Sequence, residues 1–294
     1  MSSAQLPLPK DSDDPIRLAD WLEIYALVSG DGNSSAGDLE RALHRPGLDI
    51  SADPNELCAE VFTELELRAT AARHSYPFET RGAVLSLRRK YEHCAAYVFC
   101  LCLSYFGWQQ EKGKTIFPRR MFEDLAALAA KNYLRGDSYR FAAPRKDVPQ
   151  FREALDWLCN RMGEGARCKQ EDTRSAQDDN LDIVAWSNFP DRKPGKLLLF
   201  GQCATGEDWQ GIKLNSLQPG PFCSYWLHES PPSPLIRAYF IPHRVTPREW
   251  YKSAMFGGII FDRCRISYWT HSGKSLKVIQ PYVEWVNSVL AMLQ

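Results

Sequence analysis

The chain has 294 residues, of which 44% are hydrophobic and 24% charged, and 36 Lys and Arg residues balance 36 Asp and Glu residues. This composition excludes a disordered chain and can fill one large hydrophobic core or two smaller ones. A formal net charge of zero also excludes a protein that binds nucleic acid through a basic surface on all sides.

The charge is unevenly distributed along the chain. Residues 1–80 hold six Lys and Arg residues and fifteen Asp and Glu residues, whereas residues 81–147 hold thirteen and six. The basic middle segment is where a phosphate backbone would be attracted. A solvated helix face is an equally good explanation for any one of these basic residues.

Three helices are predicted at the start of the chain. They begin at Pro15, after Ser35 and at Pro54, where a capping residue precedes apolar residues at helical spacing. We therefore predict an acidic α-helical domain over residues 1–75. Its negative charge is unfavourable for DNA, so we expect it to bind a protein partner or a second copy of the chain.

The segment 76–165 is predicted to be a helical subregion. Its apolar run over residues 94–106 is too short to cross a bilayer, which predicts a buried core helix and no membrane partner. Further helices are predicted over residues 119–134 and 151–162, with a basic loop over residues 136–149 between them.

Nine cysteines are present, an odd number, and none forms a C-x-x-C pair. The polar N-terminus does not resemble a secretory signal, so we expect reduced thiols in the cytoplasm. A zinc site would require histidines and cysteines distant in sequence to converge, whereas buried structural cysteines are the simpler expectation.

Two apolar runs, residues 181–186 and 197–203, have the length of strands. The Asn, Pro, Asp and Gly residues between them are typical of turns, so a hairpin is predicted. Asp182 opens the first strand and Gln202 closes the second. Downstream, strands over residues 235–241 and 257–263 alternate with helices, which indicates an α/β fold.

The two strand ends carry oxygen ligands of the kind that Mg²⁺ prefers, a carboxylate from Asp182 and an amide carbonyl from Gln202. Lys213, in the following segment, could activate a water molecule beside the metal. The chemistry indicated is phosphodiester hydrolysis. The plainer alternatives are a turn-capping acid, a glutamine bonded to a sheet edge and a surface lysine.

This pattern resembles the PD-(D/E)XK nuclease superfamily, in particular its Mrr-type restriction endonuclease branch. Asp182 matches the motif aspartate and Gln202 the glutamine that replaces the usual glutamate. Ala204 stands where the family has its catalytic lysine, so Lys213 would have to supply the amine. The match covers a third to a half of the chain.

The family also places a glutamate on a helix that precedes the catalytic strands, often in a Phe-Glu pair. Glu123 is similar to that position, and Glu164, between two glycines, is its rival. Each also has a plainer interpretation, Glu123 as an acid near a helix N-terminus and Glu164 as a bystander beside a helix C-cap.

The resemblance implies a restriction-endonuclease-like mixed sheet flanked by helices within residues 76–294. It further implies Mg²⁺ or Mn²⁺ bound by Asp182, Gln202 and Glu123, and an endonuclease that cleaves DNA in prokaryotic defence against phage or foreign DNA.

Two alternatives remain open at this point. A relative of the nucleases that lost catalysis when Ala replaced Lys at position 204 would bind nucleic acid or a partner protein instead. A different α/β enzyme could use Cys203 as a nucleophile if a helix N-terminus activated the thiol.

Overall fold

A computed structural model describes residues 6–11, 13–45, 52–107, 118–145, 147–173, 176–271 and 276–293. The chain forms two compact units, residues 1–118 together with 263–294, and residues 119–262. The predicted domain boundary at residue 75 is therefore wrong, because residues 76–118 and the C-terminal helices belong to the first unit.

The described residues contain ten α-helices and eight strands. The helices are α1 (Pro15–Val28), α2 (Ala36–Leu43), α3 (Pro54–Ala72), α4 (Ala95–Phe106), α5 (Pro118–Leu134), α6 (Phe151–Met162), α7 (Pro219–Trp226), α8 (Pro247–Gly257), α9 (Arg263–His271) and α10 (Leu276–Leu290). The strands are β1 (Asn33–Ser35), β2 (Phe78–Arg81), β3 (Val84–Leu87), β4 (Asp137–Arg140), β5 (Ile183–Trp186), β6 (Leu198–Cys203), β7 (Leu235–Phe240) and β8 (Ile259–Phe261).

Capping side chains fix where the first helices begin. The carboxylate of Asp14 accepts a hydrogen bond from the backbone N–H of Ile16 at 2.9 Å. Ser35 and Asp38 form a reciprocal capping box, in which each side chain accepts from the backbone N–H of the other residue. The predicted starts of α1, α2 and α3 are confirmed.

The first unit also contains a small antiparallel sheet in the order β1-β3-β2. Strands β2 and β3 form a hairpin, with Arg81 paired to Val84 across the turn. Residues 76–82, which mark a domain boundary in the sequence interpretation, are thus part of this unit's sheet.

Charged side chains are buried at the centre of the first unit. The guanidinium of Arg68 lies 2.7 Å from Asp20, 2.8 Å from Glu23 and 2.7 Å from Glu64. Arg263, at the start of α9, contacts Asp20 at 2.5 Å. These three acids point inward, so they do not belong to an exposed acidic surface. A partner surface on these helices stays a prediction.

The second unit is built on a mixed five-stranded sheet in the order β4-β5-β6-β7-β8. The pairs β4/β5 and β5/β6 are antiparallel, and β6/β7 and β7/β8 are parallel. The predicted α/β fold with a mixed sheet flanked by helices is confirmed. Strand β4 lies inside the predicted basic loop, because an edge strand of sequence Asp-Ser-Tyr-Arg carries no apolar alternation.

Helices cover both faces of this sheet. On one face, Phe240 stacks on Phe261 with ring centres 4.6 Å apart, and Phe261 meets Tyr133 of α5 at 5.3 Å. On the other face, Phe200 packs against Phe222 of α7 at 6.2 Å, in a cluster that includes α6. No helix within the described ranges combines the length and the apolar character needed to cross a lipid bilayer.

Candidate functional site

Asp182 lies where β5 begins, between β4 and β6. Its carbonyl oxygen accepts hydrogen bonds from the backbone N–H groups of Phe141 and Ala142, and its own N–H donates to Gly201 at 3.0 Å. Its carboxylate accepts a hydrogen bond of 2.7 Å from the backbone N–H of Cys203. The side chain is only 6% exposed, so the backbone of two neighbouring strands fixes a buried carboxylate at this end of the sheet.

Glu123 lies on α5, which covers the sheet face of Gly201. A Cβ atom on Gly201 would come within 2.6 Å of the Phe240 ring, so Gly201 and Phe240 lie on the same face of the sheet. Helix α5 covers this face, because its Tyr133 contacts Phe261. Glu123 is 4% exposed. Its carboxylate lies 3.2 Å from Arg140 of β4 and 3.6 Å from Arg119.

The two carboxylates influence each other electrostatically. Burial, followed by the nearby charges of Glu123 and Asp178, raises the pKa of Asp182 from 3.8 to about 8, and the hydrogen bond from Cys203 and the charge of Arg119 only partly oppose this. Burial also raises the pKa of Glu123, against the opposing charges of Arg140 and Arg119. The two buried carboxylates are therefore close enough to influence each other's ionisation, and their joint role as metal ligands stays a prediction.

Gln202 does not join this pair. Successive side chains of a strand point to opposite faces, so Gln202 projects away from the face of Gly201 and Cys203. There its Oε1 lies 2.9 Å from the hydroxyl of Ser216, which also lies 2.9 Å from the carbonyl oxygen of Lys213. No hydrogen bond between described side chains joins Gln202 to Asp182, and the role of Gln202 as a metal ligand stays a prediction.

Lys213 is exposed on a short 3₁₀ turn over Ile212–Asn215. Its backbone carbonyl is linked through Ser216 to Gln202, and no contact joins its ammonium to Asp182. Ala204 is buried in an apolar cluster with Trp209 and Tyr239. Neither residue supplies the amine that the nuclease motif needs.

Glu164 lies at the other end of the sheet. One carboxylate oxygen accepts from the backbone N–H groups of Gly195 and Lys196 at 3.0 and 3.1 Å, just before β6. Strand β6 then runs five residue steps, about 17 Å, before it reaches Cys203. Glu164 thus holds the β5–β6 loop, and the prediction that it completes the site of Asp182 is wrong.

Cys203 shares a sheet face with Gly201 but is poorly suited to nucleophilic attack. Burial, together with the negative charges of Asp182 and Glu123, raises the pKa of its thiol well above 9.0. Since the thiolate is the nucleophile, this environment disfavours the cysteine-enzyme alternative. The nine cysteines are free thiols, and eight of them are buried as expected.

Arg119 and Arg140 are two charged neighbours of Glu123 that the nuclease motif does not predict. Both lie beside Glu123, and the side chain of Arg119 is 70% exposed. They belong to the basic segment 81–147, so the signal was the excess of positive charge there. A motif built around Lys could not identify which members face the carboxylates.

The pair of Asp182 and Glu123 suits a hard divalent cation. Mg²⁺ commonly takes one or two protein carboxylates and completes its shell with water and substrate phosphate. In the part of the chain that the structure describes, no group of three or more His, Cys, Asp or Glu side chains could hold a metal ion. Any such site would therefore depend on two protein carboxylates and an open coordination sphere.

No family model, curated protein or solved structure matches this chain.

Proposed function

We propose that the chain is a metal-dependent nuclease that hydrolyses phosphodiester bonds in DNA, with Asp182 and Glu123 as its metal ligands. The observation that supports this proposal is the convergence of two buried carboxylates, one at the start of β5 and one on α5, at the same end of the sheet. Prokaryotic defence against foreign DNA is the wider role that the family resemblance implies for such an enzyme.

Each side chain has a distinct task in this proposal. Asp182, fixed by the Cys203 amide, and Glu123, held by Arg140, would present one oxygen each to the cation. A bound Mg²⁺ or Mn²⁺ would polarise the phosphate and lower the pKa of a coordinated water. Arg119, exposed and 3.6 Å from Glu123, would bind the substrate phosphate and take the place of the missing lysine.

A second candidate is a non-catalytic relative that binds a cation and nucleic acid or a partner protein. One observation favours it: Ala204, at the position of the family's catalytic lysine, is buried among apolar side chains. Under either candidate function the chain would bind Mn²⁺ at Asp182, but only the nuclease would cut DNA.

Incubation of supercoiled plasmid with full-length protein and Mg²⁺ or Mn²⁺ separates the two candidates. The nuclease proposal expects nicking that EDTA prevents, that Asp182→Asn abolishes and that Arg119→Gln reduces about tenfold or more. Asp191→Asn and Lys193→Gln, on the exposed β5–β6 loop, are the matched controls and should cut like the wild type. If the wild type binds Mn²⁺ but leaves plasmid and linear DNA intact, the non-catalytic candidate replaces the nuclease.

A further inference from the structure

The second unit contains a cavity of about 650 Å³ at the opposite end of the sheet from Asp182. It lies between the C-terminal end of α6 and the β5–β6 loop, and that volume is within the usual range of small-ligand pockets. The lining includes two aromatic residues, three basic residues and an amide, namely Trp157, Phe189, Arg161, Arg192, Lys196 and Asn188.

The cavity lining carries three cations, Arg161, Arg192 and Lys196, and one acid, Asp137. Within the described ranges, the guanidinium groups of Arg161 and Arg192 have no ion pair. Lys196 is 3% exposed, and its ammonium donates to the carbonyl of Met162 but has no carboxylate partner in the described structure. A buried ammonium with spare donors is costly unless an anion approaches it.

Asp137 is the one acid of this lining, and it is already engaged. One of its oxygens accepts from Lys131 at 3.1 Å and the other from the side-chain amide of Asn188 at 3.0 Å. Lys131, outside the lining, and Arg161, within it, both act on this charge and lower the pKa of Asp137. The lining therefore keeps three cations against this one acid.

Aromatic surface lies beside these cations. Phe189, on the β5–β6 loop, is 55% exposed. Trp157 is partly buried against Tyr139 at a ring distance of 4.5 Å, and the guanidinium of Arg161 lies 5.7 Å from its ring centre. Exposed rings next to unpaired guanidinium groups are the surfaces on which nucleobases stack.

Glu164 holds the loop that forms one side of the cavity. Its carboxylate accepts from the backbone of Gly195 and Lys196, which fixes the loop that bears Arg192 and Phe189. The other carboxylate oxygen of Glu164 is buried without a hydrogen-bond partner, and in the described part of the chain no ion pair joins this acid to the Lys196 ammonium.

We propose that this cavity binds a mononucleotide, with its phosphate at Arg161, Arg192 and Lys196 and its base against Phe189 and Trp157. The site is separate from the carboxylates at the other end of β6. A ligand there would tie the end of α6 to the β5–β6 hairpin, whose second strand leads to Cys203 and the Asp182 carboxylate.

Calorimetric titration of full-length protein in EDTA tests this proposal independently of metal-dependent cleavage. Adenosine, guanosine, cytidine and uridine 5′-monophosphates, adenosine and inorganic phosphate serve as probes. We expect at least one monophosphate to bind, adenosine to bind about tenfold more weakly or not at all, and inorganic phosphate to compete.

Charge variants locate the binding. Arg161→Gln and Arg192→Gln should each weaken monophosphate binding about tenfold or more, whereas Lys193→Gln, in the same loop but outside the lining, should leave it unchanged. Melting temperatures equal to that of the wild type would show that the variants are folded. Absence of binding at about 1 mM of every monophosphate, or binding that both Arg variants retain, overturns the proposal. It is also overturned if a single-stranded oligonucleotide binds here while the mononucleotides do not.

Discussion

Buried carboxylates occur in both units, but their surroundings differ. In the first unit, Asp20, Glu23 and Glu64 surround Arg68, and Tyr76 and Tyr97 donate hydrogen bonds to Glu23 at 2.7 and 2.8 Å. In the second unit, Asp182 has one backbone donor and a second carboxylate, Glu123, as its neighbour.

The pKa shifts of Asp20 and Asp182, which are both buried, have opposite directions for this reason. Burial alone would raise the pKa of Asp20, but the charges of Arg263 and Arg68 hold it below 3.8. Burial raises the pKa of Asp182 to about 8, and its neighbours include no buried cation directed at it. A buried carboxylate that is paired with a buried cation stabilises the fold. A buried carboxylate without such a partner lowers stability and is a candidate for a binding site.

Removal of Arg68 should have the largest effect on stability. Arg68→Met would leave three buried acids without their shared cation, and we expect the free energy of unfolding to fall by about 3–5 kcal/mol. Urea denaturation of the full chain, followed by circular dichroism, measures this change. Arg41→Met removes an exposed ion pair with Asp38 and should cost less than about 1 kcal/mol. If both variants lower the free energy of unfolding equally, Arg68 does not stabilise the buried acids Asp20, Glu23 and Glu64.

The same Asp-to-Asn change should have opposite effects on the free energy of unfolding in the two units. Asp182 binds its proton more tightly in the folded state, so its contribution to stability is fully present below pH 3.8 and is lost as the pH rises toward about 8. Asp182→Asn should therefore raise stability progressively over this window, with the largest gain near its upper end.

Asp20 titrates in the other direction. Its lowered pKa contributes stability above pH 3.8 that is lost as the pH falls through the folded-state value. Asp20→Asn should thus destabilise the protein at neutral pH. Denaturation curves of both variants at several pH values check the pair of signs, and a loss of stability in both near pH 8 would contradict the comparison.

Replacement of Glu123 should have a smaller effect, transmitted to Asp182. Glu123→Gln removes one of the negative charges that raise the pKa of Asp182, so this pKa should fall below about 8. Carbon-detected NMR titration of the aspartate carboxyl groups follows it directly. Glu79→Gln, on a solvent-exposed ion pair of the first unit, is the control and should leave it in place.

Glu164→Gln should have the smallest effect. A glutamine carbonyl can still accept from the backbone of Gly195 and Lys196, so stability should change by less than about 1 kcal/mol. Because Glu164 lies at the far end of β6, the titration of Asp182 should not move. A shift in the pKa of Asp182 would show that Glu164 lies close to Asp182 after all.

Local patterns in the sequence predicted much of the fold. Proline and capping residues located α1 and α3, and the turn residues between two apolar runs predicted the β5–β6 hairpin. Strand β4 and helix α9 were missed, because one is a polar edge strand and the other follows directly after β8. The assignment of residues 263–294 to the first unit depends on contacts distant in sequence, which a linear pattern does not contain.

The site was predicted only in part. Asp182 and Glu123 lie close enough to interact electrostatically, each at a defined place on a strand or helix. Lys213 was misplaced by the 3₁₀ turn that leaves it exposed. This error concerns the direction of a side chain, which spacing along the sequence does not determine.

Titration of Mn²⁺ into the full chain at about pH 7, in two buffers of different ionisation enthalpy, tests whether Asp182 binds a cation. Because the pKa of Asp182 is raised to about 8, cation binding should release a proton from the wild type. Asp182→Asn should bind Mn²⁺ much more weakly and release no proton, while Asp191→Asn should behave as the wild type does. Wild-type protein that binds no Mn²⁺, or that binds it equally well after Asp182→Asn, would contradict the account.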